Sequence, residues 1–188
     1  NKGISWAHED HSLKKYNFSP QKAEVLLDQA GYKRKSDGIR MTLDIVHFPR
    51  FSKYIEAMKQ DLSKVGINLV SRALDRSAAV STIFEKRDFD LNLISYCNGA
   101  DPDIGVKRMY VSTNIGNIPF SNGAAYRNLK IDSLFDDAGQ IADNNLRAKK
   151  YKQIQNILAN DLPYWWLVER QFLTAHNSNV SGFRSWSG

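Results

Sequence analysis

Two carboxylates flank a proline at Asp101-Pro102-Asp103, and the stretch leading into them, Tyr96-Cys97-Asn98-Gly99-Ala100, joins an aromatic ring, a thiol, an amide and a glycine. Carboxylates this close can bind a divalent cation or share a proton, the latter being the arrangement of an acid-base hydrolase. The same residues can equally serve the backbone. Asp101 would then hydrogen-bond within the loop while Asp103 capped the following helix, since Asp accepts from the exposed N–H groups of a first turn. Phe120, Asn122 and Tyr126 lie farther on, in a segment rich in Gly and Asn. Their rings could stack on a ligand or pack the loop onto its own domain.

Other chemistry is sparse. There is no GxGxxG, P-loop, GxSxG or HExxH. His8-Glu9-Asp10-His11 has two imidazoles three apart but no third ligand, so it reads as a charged loop and no metal is expected. His47 ends a strand pattern and His176 sits near the tail; both read as ordinary histidines. Cys97, the single cysteine, has no basic neighbour in sequence to activate it and is expected as a small packed thiol. The net charge of +6 comes from Lys and Arg scattered among acids, a solvated surface rather than a nucleic-acid face. No catalytic residue and no cofactor is expected.

The elements that position these residues follow from periodicity. Ser19 and Pro20 open a helix with Ala23, Leu26, Leu27 and Ala30 on one face, stopped by Gly31. Met41, Leu43 and Ile45 alternate with Thr42 and Asp44 as a strand. Tyr54, Ile55, Met58, Leu62 and Val65 have helical spacing up to Gly66. Ile67, Leu69 and Ser71 begin a second strand, Ser77 to Lys86 form a short helix, and 90–95 a third strand. The crossovers are long enough for parallel pairing, which predicts a parallel βαβαβ core sheet with flanking helices, an α/β fold. The 96–103 loop then leaves the carboxyl end of a parallel strand, where open α/β sheets bind ligands. Beyond it come a short helix to Tyr110, an irregular 112–128, and helices at 131–141 and 146–159. Leu162 to Val168 reads as a buried strand, with one of the adjacent Trp165 and Trp166 in the core.

In this order the segments resemble the carboxyl-terminal part of the family 5 extracytoplasmic solute-binding proteins, the peptide, dipeptide and nickel binders of ABC importers. Tyr16 to Tyr32 is similar to that family's D-x-x-K-A-x-x-L-L-x-x-A-G-Y helix, and Ile55 to Ile67 to its Q-x-x-L-x-x-x-G-I. Phe89-Asp90-Leu91 followed by Asp101-Pro102-Asp103 resembles F-D-L … D-P-D. Residues 126–134 resemble Y-x-N-P-x-x-D-x-L, and 147–163 resemble R-x-x-x-Y-x-x-x-Q-x-I-L-x-x-D-x-P.

The resemblance implies a periplasmic-binding-protein type II lobe over 19–176, with 1–18 entering from, and 177–188 returning toward, a second lobe. Lacking an initiator Met or signal-peptide core, the amino terminus reads as cut from a longer chain, and the resemblance implies a periplasmic or extracytoplasmic location for it. It further implies a cleft that closes on a peptide or related polar solute and presents it to a membrane permease. A nickel chelate, an opine or an oligosaccharide is the alternative. Tyr96, Cys97, Asn98, Gly99, Asp101, Phe120, Asn122 and Tyr126 become the candidate ligand contacts. Peptide binders of the family place an Asp after the aromatic that Tyr96 matches, but Asn98, Gly99 and Ala100 are not acidic. Either Asp101 substitutes from a shifted loop, or the ligand lacks a free amino terminus. Asn128-Leu129 likewise departs from the family's Asn-Pro.

Overall fold

The computed structural model describes residues 4–9, 13–170 and 175–182; Asp10 and His11 of the histidine-bearing loop lie outside the described residues. Contacts group the chain into two compact units, one of residues 15–96 and 115–123, the other of 1–14, 97–114 and 124–188.

The first unit is built on a sheet. α1 (Pro20–Gln29) is capped by the Ser19 hydroxyl, which accepts from the Lys22 amide, and ends before Gly31 at a φ of 88° that only glycine adopts freely. β1 (Met41–His47), α2 (Ser52–Lys64), β2 (Ile67–Ala73), α3 (Arg76–Val80) and β3 (Leu91–Leu93) follow in order. The strands lie β2-β1-β3, all parallel, with Ile45 opposite both Ser71 and Leu91. The expected βαβαβ order is therefore the observed one. β1, as the central strand, buries both faces: Ile45 joins Leu69 and Ile55 under α2, while Val46 joins Ala79, Ile83 and Phe84 under α3 and the single π turn (Ser81–Lys86) that extends it. Fully burying each such side chain contributes about 1.5–3 kcal/mol. α1, by contrast, buries none of its residues, and Leu26 of its expected apolar face is exposed. Arg40 ties α1 to the sheet: its buried guanidinium donates to Asp28 at 2.5 Å and to the carbonyls of Tyr32 and Val65. That contact draws the Asp28 carboxyl below its usual range. His47 is buried with both ring nitrogens engaged, one by the Phe48 carbonyl at 2.9 Å and one by the Ser71 hydroxyl at 2.7 Å, as an ordinary core histidine is.

The second unit is helical in its described residues. α4 (Pro102–Gly105) is followed by α5 (Leu129–Gln140) and α6 (Asn144–Asp161), and α5 packs on α6. Its core stacks Tyr110 on Phe135 (6.5 Å, 14°) and tilts Phe135 against Tyr151 (6.2 Å). Residues 162–168 do not form the expected strand. They run without regular structure, and Trp165, Trp166, Leu167 and Val168 are all exposed, so neither indole lies in the core. An apolar run becomes a strand only where a neighbouring strand takes its N–H and C=O groups, and the described residues of this unit contain none. Trp166 is anchored instead by its indole N–H, which donates to the Tyr110 hydroxyl at 3.1 Å.

Candidate functional site

Phe48, Leu74 and Ile94 leave the carboxyl ends of the three parallel strands on one edge of the sheet unit. Tyr96 follows there, half-buried. Its ring meets Phe120 edge-on (6.2 Å, 89°), and its hydroxyl donates to the Ser121 carbonyl at 3.3 Å. Phe120 sits at a φ of 58°, a left-handed conformation that costs a non-glycine residue about 1–2 kcal/mol. It is held there because its ring also packs on Phe84 at 5.7 Å. Asn122 is fully buried next to it, and Gly123 lets the backbone pass Phe84, whose ring edge would stand 2.9 Å from an added Cβ. Tyr96, Phe120 and Asn122 are thus brought together within this unit.

Two arginines on the same edge escaped the sequence reading. Arg50, in the turn after β1, lies over the rings of Phe48 (5.1 Å) and Phe51 (4.8 Å) and donates to the Ser95 hydroxyl at 3.1 Å. Arg76, which opens α3 after β2, lies over Phe120 at 5.5 Å. Both are exposed. The usable signal in the sequence was position: each follows the end of a β-strand by three residues.

Cys97, Asn98, Gly99, Asp101 and Tyr126 belong to the helical unit. Cys97 is exposed, not packed as expected, and its contribution to the loop is made by its backbone carbonyl, which accepts from Arg108 at 3.1 Å. Asn98 has a buried side-chain oxygen with no hydrogen-bond partner among the described residues. Asp101, not Asp103, caps α4, accepting from the Asp103 amide at 2.9 Å. Its two oxygens also accept from the two terminal nitrogens of Arg147, each at 2.9 Å, a fork-on-fork pair. The Arg147 guanidinium holds the Asp101 carboxyl below the usual carboxylate range, and Asp101 in turn pushes Arg147 up. Arg147 further donates to the Ala138 carbonyl and the Tyr151 hydroxyl, so the ensemble braces loop, α5 and α6. Asp103 pairs with Lys107 at 3.3 Å. The two carboxylates of the Asp101-Pro102-Asp103 pair therefore face different cations, Asp101 facing Arg147 and Asp103 facing a Lys107 that it shares with Asp136 at 3.0 Å, and no group of three potential metal ligands occurs among the described residues. Tyr126 donates to Asp161 at 2.5 Å; burial, followed by that carboxylate, pushes its phenol up to about 12.

A shallow groove lined by Lys59, Gln60, Ser63, Ile67, Asn68 and Leu69 opens at the amino-terminal end of β2, away from the edge that carries Tyr96. Among the described residues no helix is long and apolar enough to cross a membrane.

The chain is similar to known proteins over most of its length. It is 26% identical over 178 residues to the glutathione-binding protein GsiB of Salmonella paratyphi A, covering 92% of this chain and 34% of that protein. The oligopeptide-binding protein AppA of Bacillus subtilis, solved with a nonapeptide, superposes with a TM-score of 0.73 at 25% identity, over 85% of this chain and 33% of AppA. NikZ of Campylobacter jejuni, solved with Ni(L-His), shares the fold with a TM-score of 0.70 at 24% identity, over 85% of this chain and 34% of NikZ. The chain thus spans about a third of the length of the relatives it matches. The α/β lobe with its parallel sheet is that of the type II periplasmic binding proteins. Residues 2–117, which hold all three strands of the described sheet, match the middle-region model of one family, and the chain belongs to the bacterial extracellular solute-binding proteins, family 5.

Proposed function

We propose that this chain supplies part of the solute-binding wall of an extracytoplasmic receptor, which captures a small peptide or related polar solute and delivers it to the permease of an ABC importer. The carrying observation is the family match over residues 2–117, which takes in β1, β2, β3 and the loop from Tyr96 through Asp103. The reading is one of binding, without catalysis. In support, Asp101 is held ionised by Arg147, where a hydrolytic acid would need its pKa raised. Tyr96 and Phe120, at the carboxyl edge of the sheet, are the rings offered to the solute. The relatives' solutes span glutathione, a nonapeptide and nickel-histidine. One observation favours the alternative of a solute without a free amino terminus: residues 98–100 are not acidic, and both Asp101 oxygens are occupied by Arg147.

Native mass spectrometry of the full-length protein, purified from its own organism without denaturation, is expected to show a retained solute. Calorimetry with that solute should then find Tyr96→Ala weakened about five- to a hundredfold, the loss of one buried ring of about 1–3 kcal/mol. Unchanged affinity in a folded Tyr96→Ala protein would move the solute off this edge. Turnover of the solute would replace binding with catalysis.

A further inference from the structure

An Asp or Asn is followed by Gly three times in the chain, at Asp37-Gly38, Asn98-Gly99 and Asn122-Gly123. Glycine, with no Cβ, has the least hindered backbone nitrogen, and that nitrogen can reach the side-chain carbonyl carbon of the residue before it to close a five-membered ring. What the fold has done with the two groups decides whether it does. At Gly38 and Gly123 the amides are committed, donating to the carbonyls of Lys35 at 2.9 Å and Ser121 at 3.0 Å. The Asp37 carboxylate accepts from the Ile39 amide at 2.9 Å, and Asn122 is fully buried. Asn98-Gly99 has neither lock. Among the described residues the Gly99 amide donates to nothing and the Asn98 side-chain oxygen accepts from nothing, so no hydrogen bond has to break for the two groups to meet. Both residues are half-buried, not closed off as Asn122 is. On the side toward α4 the Gly99 nitrogen has room only because residue 105 is glycine: a Cβ there would stand 2.3 Å from it.

We propose that Asn98 is a site of spontaneous deamidation, which turns the neutral 98–100 loop acidic and gives the protein a second, more negative form. The Gly99 nitrogen, its proton lost to hydroxide, attacks Asn98 Cγ. The tetrahedral adduct expels Nδ2, which takes a proton from water and leaves as ammonia. The succinimide that remains takes up one water. Opening the ring bond to Cγ leaves aspartate; opening the bond to the backbone carbonyl of residue 98 leaves isoaspartate, with the chain running through the side chain. In sum, an amide and a water become a carboxylate and an ammonium, and nothing is oxidised or reduced. The new charge arises beside backbone that a cation already holds: Arg108 donates to the Cys97 carbonyl at 3.1 Å and to the Gly105 carbonyl at 3.2 Å, and has no carboxylate partner among the described residues. The chemistry needs only the loop's own groups, so it is independent of the solute-binding reading, although residue 98 is among the candidate solute contacts.

The test holds full-length protein, folded, at neutral and at mildly alkaline pH, then digests it with trypsin and maps the peptides by mass spectrometry. Cleavage at Lys107 and Arg108 puts the two Asn-Gly pairs in separate peptides. The amide-to-acid mass gain should appear at Asn98 about tenfold or more faster than at Asn122, a barrier difference of about 1.4 kcal/mol or more. It should rise in proportion to hydroxide, and enzymatic methylation of isoaspartate should rise with it. In urea-unfolded protein the two pairs should react at similar rates, because the protection of Asn122 comes from the fold. Gly99→Ala should slow the gain at Asn98 about tenfold, since a methyl on the attacking residue hinders ring closure. That methyl fits the folded loop, where an added Cβ meets only Ile104, at 3.7 Å. An Asn98 that reacts no faster than Asn122 in the folded protein, a rate indifferent to pH, or a folded Gly99→Ala protein that reacts as fast as wild type would each overturn the assignment and leave the solute-binding reading intact. Because the folded and unfolded rates are compared on wild type, a Gly99→Ala protein that fails to fold does not block that outcome.

Discussion

Asp101 accepts three hydrogen bonds, one from the amide that opens α4 and two from Arg147, forty-six residues later in the chain. The local half of that role could be read from Asp-Pro-Asp, although Asp103 was assigned the cap. The distant half could not, because no short-range pattern names a partner that only tertiary packing delivers. The Asp101 and Arg147 side chains are 31% and 14% exposed, so the pair is shielded enough to contribute to stability. Asp101→Asn in the full-length protein should cost about 1–3 kcal/mol in chemical denaturation. The pH dependence has a definite sign. The folded carboxyl ionises below its ordinary value, so its stabilisation is complete above that ordinary value and is lost as pH falls through the folded one. Wild type should therefore lose its advantage over Asp101→Asn on acidification below about pH 4. A constant gap from pH 7 to pH 2 would show that the ion pair contributes nothing. If every solute weakens in proportion to that stability loss, Asp101 is a brace.

At the scale of elements, the parallel sheet was legible because β1, β2 and β3 each carry their own alternation, and the helices before β1 and before β2 end at Gly31 and Gly66, both at positive φ. Residues 162–168 were misread because apolar content reports that burial is wanted, not which strand will provide it. Of the candidate contacts, the side-by-side packing of Tyr96 and Phe120 was only half legible: both rings were singled out, but the left-handed turn that presents Phe120 has no glycine to announce it. The 96–101 loop depends on a glycine that was not singled out. A Cβ on Gly105 would stand 2.3 Å from the Gly99 amide nitrogen and 2.9 Å from the Asn98 Cα, both backbone atoms that cannot swing aside. Gly105→Ala should thus push the 98–99 backbone away from α4 and lower stability by about 1–3 kcal/mol, the range for overpacking, in thermal melting of the full-length protein. An unchanged melting temperature would show that this contact is not tight in solution.

For the molecule as a whole, the relatives are about three times the length of this chain, and a closing cleft takes contacts from both of its sides. The 188 residues alone should accordingly show no submicromolar peptide binding in calorimetry. Submicromolar affinity would mean that these residues form a complete site by themselves.

The sheet unit is interrupted in sequence. Its residues 15–96 are continuous, and 115–123 rejoin only after an excursion of eighteen residues, 97–114, into the other unit. The strands are joined by crossovers of nineteen and seventeen residues, whereas docking Phe120 on Phe84 requires closing the thirty-five residues between them, at an entropic cost that must be met before the ring contacts repay it. Completion of the sheet unit is therefore expected after the three strands have paired. A chain released or cleaved after residue 96 would carry all three strands and still leave Phe84 and Tyr96 without the ring that packs between them.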